Sequence, residues 1–326
     1  MHRIQLQNTV FEGQNNAYLF TEGETTLLDT GVATTATEEQ LRSGLAEAGV
    51  GFEDIERIIL THYHADHSGL AATIQAESDA TVHVHEADAP MVAQDETAWE
   101  EYESLQRRRF DEWGMPADKK EELLSFLSGP SLYGEALSLE PLVDGDPFDV
   151  GETTLEARHM PGHTRGSTAF VTTDNEIYSG DALLPVYTPN IGGADIRVDR
   201  PLEAYLSTLQ SFMEGGFKRA LPGHRDPIED PAARAEEIYH HHEERAYRVL
   251  KALNDFGPAS AWDVSAALFG SLENIHIIHG PGEAFAHLDH LRRNGRIEET
   301  PDGYRITDET AGRLDELKDP VWPLDT

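Results

Sequence analysis

Short runs of alternating or continuous apolar residues open the chain. From Ile4 to Gly31 the pattern is strand-like, with Ala17-Tyr18-Leu19-Phe20 and Thr25-Thr26-Leu27-Leu28 as two strands and Glu22-Gly23-Glu24 as a hairpin turn between them. Thr37 to Gly49 changes period: Leu41 and Leu45 share one helical face, and Gly49 stops the helix. Ile55 to Leu60 is a short apolar run with the signature of a buried strand. A helix-like stretch from about Gly69 to Ser78 and a strand at Thr81-Val82-His83-Val84-His85 follow. Strand and helix alternating in this way predict a layered α/β architecture.

Residues 88 to about 138 break the alternation. Met91, Trp99, Tyr102, Leu105, Phe110 and Trp113 recur at helical spacing, Gly114-Met115-Pro116 interrupts, and a second helix is predicted over Ala117 to Leu127. Such a stripe is core in most helices; an insertion between two strands can also cover a site, and both readings stay open. Strands return from Leu142 to Ser179, with a hairpin formed by Thr168–Val171 and Glu176–Ser179 around Asp174-Asn175. Pro185 to Val198, rich in Pro, Gly and Tyr, reads as a loop; a helix over Leu202–Met213 and a strand at Arg219–Leu221 come next.

Beyond Glu229 the pattern is helical. A long helix is predicted from about Pro231 to Asn254, a second from Ser260, and a third over Glu283–Asn294 with Phe285, Leu288 and Leu291 on one stripe. Two short strands then flank the turn Pro301-Asp302-Gly303. Three helices followed by a hairpin suggest a winged-helix-like module. Residues 251–326 carry seven basic against fourteen acidic residues, which favours packing or dimerisation over phosphate contact. His240-His241-His242 lies inside the long helix, where neighbours point about 100° apart and cannot converge on one ion; they read as solvent-facing or interdomain residues.

Chemistry gathers at Thr61-His62-Tyr63-His64-Ala65-Asp66-His67. Three imidazoles and a carboxylate on a loop that ends a buried strand can meet at one point, and these are ligands that zinc, iron or manganese accept in an open site. His83 and His85 also share a strand face, but they read as packing or surface histidines.

The spacing His62-x-His64-x-Asp66-His67 resembles the signature of the metallo-β-lactamase superfamily. The rest of that pattern follows in order: Leu27-Leu28-Asp29-Thr30-Gly31 before it, then Pro161-Gly162-His163-Thr164, Ser179-Gly180-Asp181 and Leu221-Pro222-Gly223-His224. The resemblance implies a four-layer αββα sandwich over residues 1–228, with the helical insertion at about 88–138, and a winged-helix-like domain over 229–326. It also implies a dinuclear centre: His62, His64 and His163 on one metal, Asp66, His67 and His224 on the second, Asp181 bridging. Asp66 would also orient the nucleophile, and Asp29 is a candidate to support a ligating imidazole, or else to cap its turn. His64 stands where the flavodiiron branch has glutamate, and no cysteine ligand is available, so the pattern is most similar to the glyoxalase II-like branch. What this implies is a hydrolase of a small thioester, ester or lactone, with a metal-bridging hydroxide as nucleophile and two divalent ions, zinc first, with iron or manganese as alternatives. A single-strand endoribonuclease and an iron-dependent sulfur dioxygenase of the same fold are the other readings.

Composition narrows these choices. The chain has 326 residues, with 60 acidic and 25 basic residues and a formal charge of −35. Acids are spread throughout rather than gathered in a tail, which argues for a salt-adapted protein and against a nucleic-acid partner. With no cysteine there are no disulfides, thiolate ligands or thiol nucleophiles. No apolar run suits a signal peptide or a membrane span, so a cytoplasmic protein with a small-molecule substrate is expected. A homodimer is left open, and no residue stands out as a substrate contact.

Overall fold

Two mixed β-sheets carry the part of the chain that holds the histidine cluster. The computed structural model describes residues 1–7, 13–127 and 132–314. Parts of the predicted opening strands (8–12), of the insertion (128–131) and of the tail (315–326) lie outside the described residues. The first sheet orders β1 (His2–Leu6), β2 (Asn15–Phe20), β3 (Thr26–Leu28), β4 (Arg57–Ile59), β5 (Thr81–His85) and β6 (Glu140–Leu142) side by side. Its first three strands pair antiparallel and the rest parallel. The second sheet runs β7 (Pro147–Asp149), β8 (Thr154–His159), β9 (Thr168–Thr172), β10 (Ile177–Gly180) and β11 (Ala220–Pro222), antiparallel except for the β10–β11 pair.

The inner faces of these sheets meet in one core. Tyr18, Phe20, Leu28, Ile59 and Leu142 from the first interlock with Phe148, Leu155, Ala157, Phe170, Tyr178 and Leu221 from the second. Each large apolar side chain so buried contributes roughly 1.5–3 kcal/mol. The ring of Tyr178 meets Tyr18 and Phe20 edge-on at 4.9 and 5.5 Å. Burial raises the phenols of Tyr18 and Tyr178 above the usual tyrosine range, and the Tyr18 hydroxyl donates to the Pro222 carbonyl at 2.7 Å, tying the sheets together beside a motif strand.

Helices follow the predicted order, with shifted ends. Thr34 caps α1 (Thr35–Glu47), which buries Leu41 and Leu45. The predicted helix at Gly69–Ser78 is two pieces, α2 (Ala65–Ser68) and α3 (Ala71–Ser78), so Asp66 and His67 ride on a short helix rather than a loop. The insertion holds α4 (Ala89–Val92), α5 (Glu96–Glu112) and α6 (Ala117–Leu127). Downstream come α7 (Pro201–Glu214), α8 (Pro231–Phe256), α9 (Ala261–Phe269), α10 (His276–Arg293), the antiparallel pair β12 (Ile297–Thr300) and β13 (Gly303–Ile306), and α11 (Asp308–Arg313).

The chain divides into two compact units that do not follow a single cut. Met1–Glu101, Pro130–Pro189 and Ser211–Arg234 form the first, which contains both large sheets; Tyr102–Gly129, Asn190–Gln210 and Ala235–Thr326 form the second. Within the second, the end of the predicted aromatic stripe is core: Phe110 and Trp113 are buried while Tyr102 and Leu105 are half-buried, Trp113 lies 5.9 Å from Phe285, and its carbonyl accepts from Trp262 N at 2.9 Å.

Two sequence expectations are corrected here. The third tail helix begins at His276, not Glu283, and runs through Pro281. Gly280-Pro281-Gly282 reads locally as a breaker, but Gly282 lies so close to Gly193 that a Cβ would come within 2.4 Å of its Cα. Close packing keeps the helix where propensity alone would end it. The histidine triplet, read as solvent-facing or interdomain, is instead split by the turn of α8. His240 is exposed, but His242 is fully buried against Tyr205 and His287, 5.6 and 5.3 Å from their rings.

Candidate metal centre

Strand ends of the first unit deliver every motif residue to one place. Asp29 follows β3, the Thr61–His64 loop follows β4 and leads into α2, and His163 sits between β8 and β9. Asp181 follows β10 and His224 follows β11. Gly223 lets this happen: a Cβ there would lie 2.5 Å from Asp181 Oδ1 and 2.6 Å from the His67 ring. His62, Asp66, His67, His163, Asp181 and His224 are all buried, and His64 is half-buried.

Three imidazoles face one another on one side. His64 Nδ1 lies 3.0 Å from His62 Nε2 and 3.1 Å from His163 Nε2. On the other side, His224 Nε2 approaches Asp66 Oδ2 at 3.4 Å, and His67 Nε2 approaches the same oxygen at 3.8 Å. Asp181 stands between the two groups. Its carboxylate oxygens lie 3.5 Å from His67, 3.3 Å from His224 and 3.7 Å from His163. The donor atoms of His62, His64 and His163 cluster within 4.8 Å of one another; so do those of Asp66, His67 and His224, and of His62, His67 and Asp181.

These contacts are near but poorly aligned. His67 Nε2, His224 Nε2 and Asp181 Oδ1 are buried without a hydrogen bond, a condition that costs roughly 1–3 kcal/mol per group. Cations between them would satisfy all three at once, so the donor set fits divalent metal. Imidazole and carboxylate without sulfur suit zinc, iron and manganese alike.

The outer nitrogens of three of these imidazoles are already committed, which leaves their Nε2 atoms facing the cluster. His67 Nδ1–H donates to Asp29 Oδ2 at 2.9 Å, and His224 Nδ1–H donates to the Gly13 carbonyl at 3.0 Å. His62 Nδ1 meets the Thr61 hydroxyl at 3.0 Å. Asp29 also accepts from Thr61 N at 2.8 Å and from the Thr61 hydroxyl at 2.9 Å, its backbone held in the left-handed region at φ 59°. Asp29 thus links the His67 ring to the start of the Thr61–His64 loop.

Charge follows the same arrangement. Burial, then the neighbouring His67 and His64, holds His62 well below the ordinary imidazole value, leaving it neutral. Burial also opposes charge on His67 and His224, yet the surrounding aspartates outweigh it: His67 is raised well above the usual range, Asp181 acting most strongly, and His224 is raised to about 10. Asp66 and Asp181 are lowered despite their burial, by the same histidines. In the metal-free molecule, protons on His67 and His224 neutralise the carboxylates that cations would otherwise neutralise.

Two supporting residues have no sequence signal. Asn15 Nδ2 donates to Asp66 Oδ2 at 3.1 Å and so fixes one carboxylate oxygen. Asp88 is fully buried and joins both loops of the three-histidine side. It accepts from Tyr63 N at 3.3 Å, from the Thr164 hydroxyl at 2.8 Å and from Gly166 N at 3.1 Å. Only their nearness in the fold marks these residues, and nothing in their spacing announces it. His83 and His85 lie outside the cluster: His83 meets the Glu140 carbonyl at 3.1 Å, and His85 stacks on His159 at 4.1 Å.

His242, Glu283 and His287 form another close group, in the second unit. There Arg245 Nη1 holds Glu283 Oε1 at 2.5 Å, while Asn190 Nδ2 and Ile191 N donate to Oε2 at 3.1 and 3.0 Å. The guanidinium already supplies the positive charge, and the group reads as a neutralised packing hub.

Comparison with known proteins agrees with this geometry. A model of the metallo-beta-lactamase superfamily matches residues 10–224. A probable metallo-hydrolase of Bacillus subtilis, YqjP, is 27% identical over 310 residues, covering 91% of this chain and 93% of that protein. A human acyl-coenzyme A thioesterase, MBLAC2, is 28% identical over 232 residues, 67% of this chain and 76% of that one. A metallo-beta-lactamase family protein from Thermus thermophilus superposes with a TM-score of 0.79 at 29% identity, covering 94% of this chain and 98% of the other.

Proposed function

The chain belongs to the metallo-beta-lactamase superfamily, and on that premise we propose that it hydrolyses a small thioester at a dinuclear centre. His62, His64 and His163 would hold one ion, Asp66, His67 and His224 the other, and Asp181 both; zinc is the first candidate. The observation that carries this reading is Asp181, placed 3.3–3.7 Å from histidines of both groups. Bound metals would acidify a water and polarise the carbonyl oxygen of the substrate.

The residues around the centre divide the remaining work. Asp29 and the Gly13 carbonyl keep the Nδ1 protons of His67 and His224 on the outside, so Nε2 stays available inward. Asn15 orients Asp66, whose carboxylate would hold one ion and orient the attacking water. A leaving thiol ionises near neutral pH, about 8.5 for cysteine, so thioester cleavage needs no strong acid. That matches a site built only of His and Asp and supports a thioester over an amide. The human relative named as an acyl-coenzyme A thioesterase supports the same substrate class. A charge of −35 argues against the endoribonuclease reading, and a full second donor set against the one-metal dioxygenase.

A substrate panel tests the proposal. Zinc-loaded protein is presented with acyl-coenzyme A thioesters, a simple ester, a lactone and a single-stranded RNA oligonucleotide. Metal-dependent thiol release should be the fastest reaction. RNA cleavage without thiol release would overturn the reading.

A further inference from the structure

We infer that Arg225, braced by Tyr187, binds the 4′-phosphate of a phosphopantetheine thioester beside the metal centre; this rests on the thioester reading above.

The starting observation is a guanidinium without a carboxylate. Acidic residues outnumber basic ones 60 to 25, and several arginines are paired with a carboxylate. Arg3 meets Asp226, Arg57 meets Glu24, Arg197 meets Asp195, Arg219 meets Glu176 and Arg245 meets Glu283. Arg225 has no such partner among the described residues. Its one side-chain hydrogen bond goes to the Tyr187 hydroxyl, and its Nε is buried with none. The nearest carboxylate in sequence, Asp226, is turned to Arg3.

Position makes this cation informative. Arg225 directly follows His224, so the two Cα atoms are about 3.8 Å apart. Its backbone is fixed in the left-handed region at φ 63°, uncommon for a residue with a side chain. Arg225 N donates to the Gln14 carbonyl at 3.0 Å, and its own carbonyl accepts from Asn16 Nδ2 at 2.7 Å and Arg3 Nη1 at 3.2 Å. The guanidinium carbon lies 4.7 Å from the centre of the Tyr187 ring. Tyr187 is itself held, because Arg234 Nη2 donates to its carbonyl and Arg234 Nε to that of Leu184, both at 2.8 Å. A braced, uncompensated arginine with a planar fork of donors is suited to phosphate. In a chain this acidic, a polyanionic thioester needs such a local cation to approach. Val186 and Tyr187, 60% and 38% exposed, add an apolar surface next to it for the pantetheine chain.

The alternative is that Arg225 only latches the 185–198 loop. Three substrates separate the two: an acyl-pantetheine, the same acyl-4′-phosphopantetheine, and the acyl-coenzyme A. A charge-assisted hydrogen bond predicts that the phosphate raises kcat/KM about ten- to a hundredfold in the wild type. In Arg225→Gln that preference should collapse toward about one, while Arg225→Lys should recover part of it as a point charge. A mere latch would lower all three substrates together and leave the preference intact, and that result overturns the inference. So does a loss confined to the coenzyme A substrate, which would put the contact on its nucleotide. Binding of the S-methyl thioethers of pantetheine and 4′-phosphopantetheine, read by calorimetry, needs no hydrolysis. If the phosphate does not tighten wild-type binding, the inference fails even when thioesters are cleaved; if it does and no thioester is cleaved, only the proposed reaction fails.

Discussion

Removing the Asp88 carboxylate should loosen one half of the metal centre without touching any proposed ligand. Asp88→Ala takes away the acceptor for two buried backbone N–H groups, of Tyr63 and Gly166, and for the Thr164 hydroxyl. The hydroxyl keeps Ser167 Oγ, 2.8 Å away. Two orphaned N–H groups cost about 2–6 kcal/mol together, at roughly 1–3 kcal/mol each, a large share of the usual 5–15 kcal/mol of stability. Asp88→Asn keeps the volume and one acceptor but turns an NH2 toward the remaining donors, so about 2–3 kcal/mol is expected. Urea unfolding of the metal-stripped protein reads that loss. Titration with a metal buffer then reads the ligands: the step belonging to His62, His64 and His163 should weaken about 10–100-fold, as for lost support around a ligand. The step belonging to Asp66, His67 and His224 should move less. An Asp88→Asn variant with unchanged unfolding and two undisturbed binding steps would refute the idea that this carboxylate positions both loops.

Asp181→Asn keeps the shape and removes the charge between the two groups. It should cost occupancy of one ion, counted by elemental analysis, and lower turnover about 100-fold; His83→Ala, outside the cluster, should keep both ions and most activity. His287, fully buried, has its imidazole pulled down to about 3 by burial and then by Arg245. It is neutral in the fold and titrates near 6.5 when unfolded, so its contribution is complete above that value and is lost as pH falls toward 3. Between pH 7 and 4 the metal-free wild type should lose about 3 kcal/mol more than His287→Gln in denaturant titrations, from about 1.36 kcal/mol per pH unit below 6.5; parallel slopes would contradict this. Melting temperature should rise with salt, because the screening length shrinks from ~30 Å at 0.01 M to ~3 Å at 1 M. A flat midpoint over that range would remove the case for salt adaptation.

What could be read in the sequence depended on whether its signal was local. The strand into Thr61 and the spacing of His62, His64, Asp66 and His67 are local, and the structure brings those residues together with His163, Asp181 and His224. Helical period placed Leu41 and Leu45 on one face because a helix exposed on one side needs only one stripe. The same period failed for His242. It says which residues of α8 share a face but not which face is buried when histidines occupy several. The first turns of α10 escaped for a related reason: the pattern starts the helix at Glu283, and the packing of Gly282 against Gly193 that accompanies its earlier start is far away in sequence. Asp88, Asn15 and Arg225 were illegible because their roles come from neighbours supplied by other loops. A sequence with 60 acidic residues offers no way to single out the one carboxylate that ties two ligand loops together.

The number of ions bound per chain tests the central claim most directly. Metal-stripped protein is loaded with excess zinc, exchanged into volatile buffer and weighed intact by native mass spectrometry. The account predicts a dominant species carrying two ions. Saturation at one ion, or none retained, would contradict a centre in which Asp181 serves both groups of ligands.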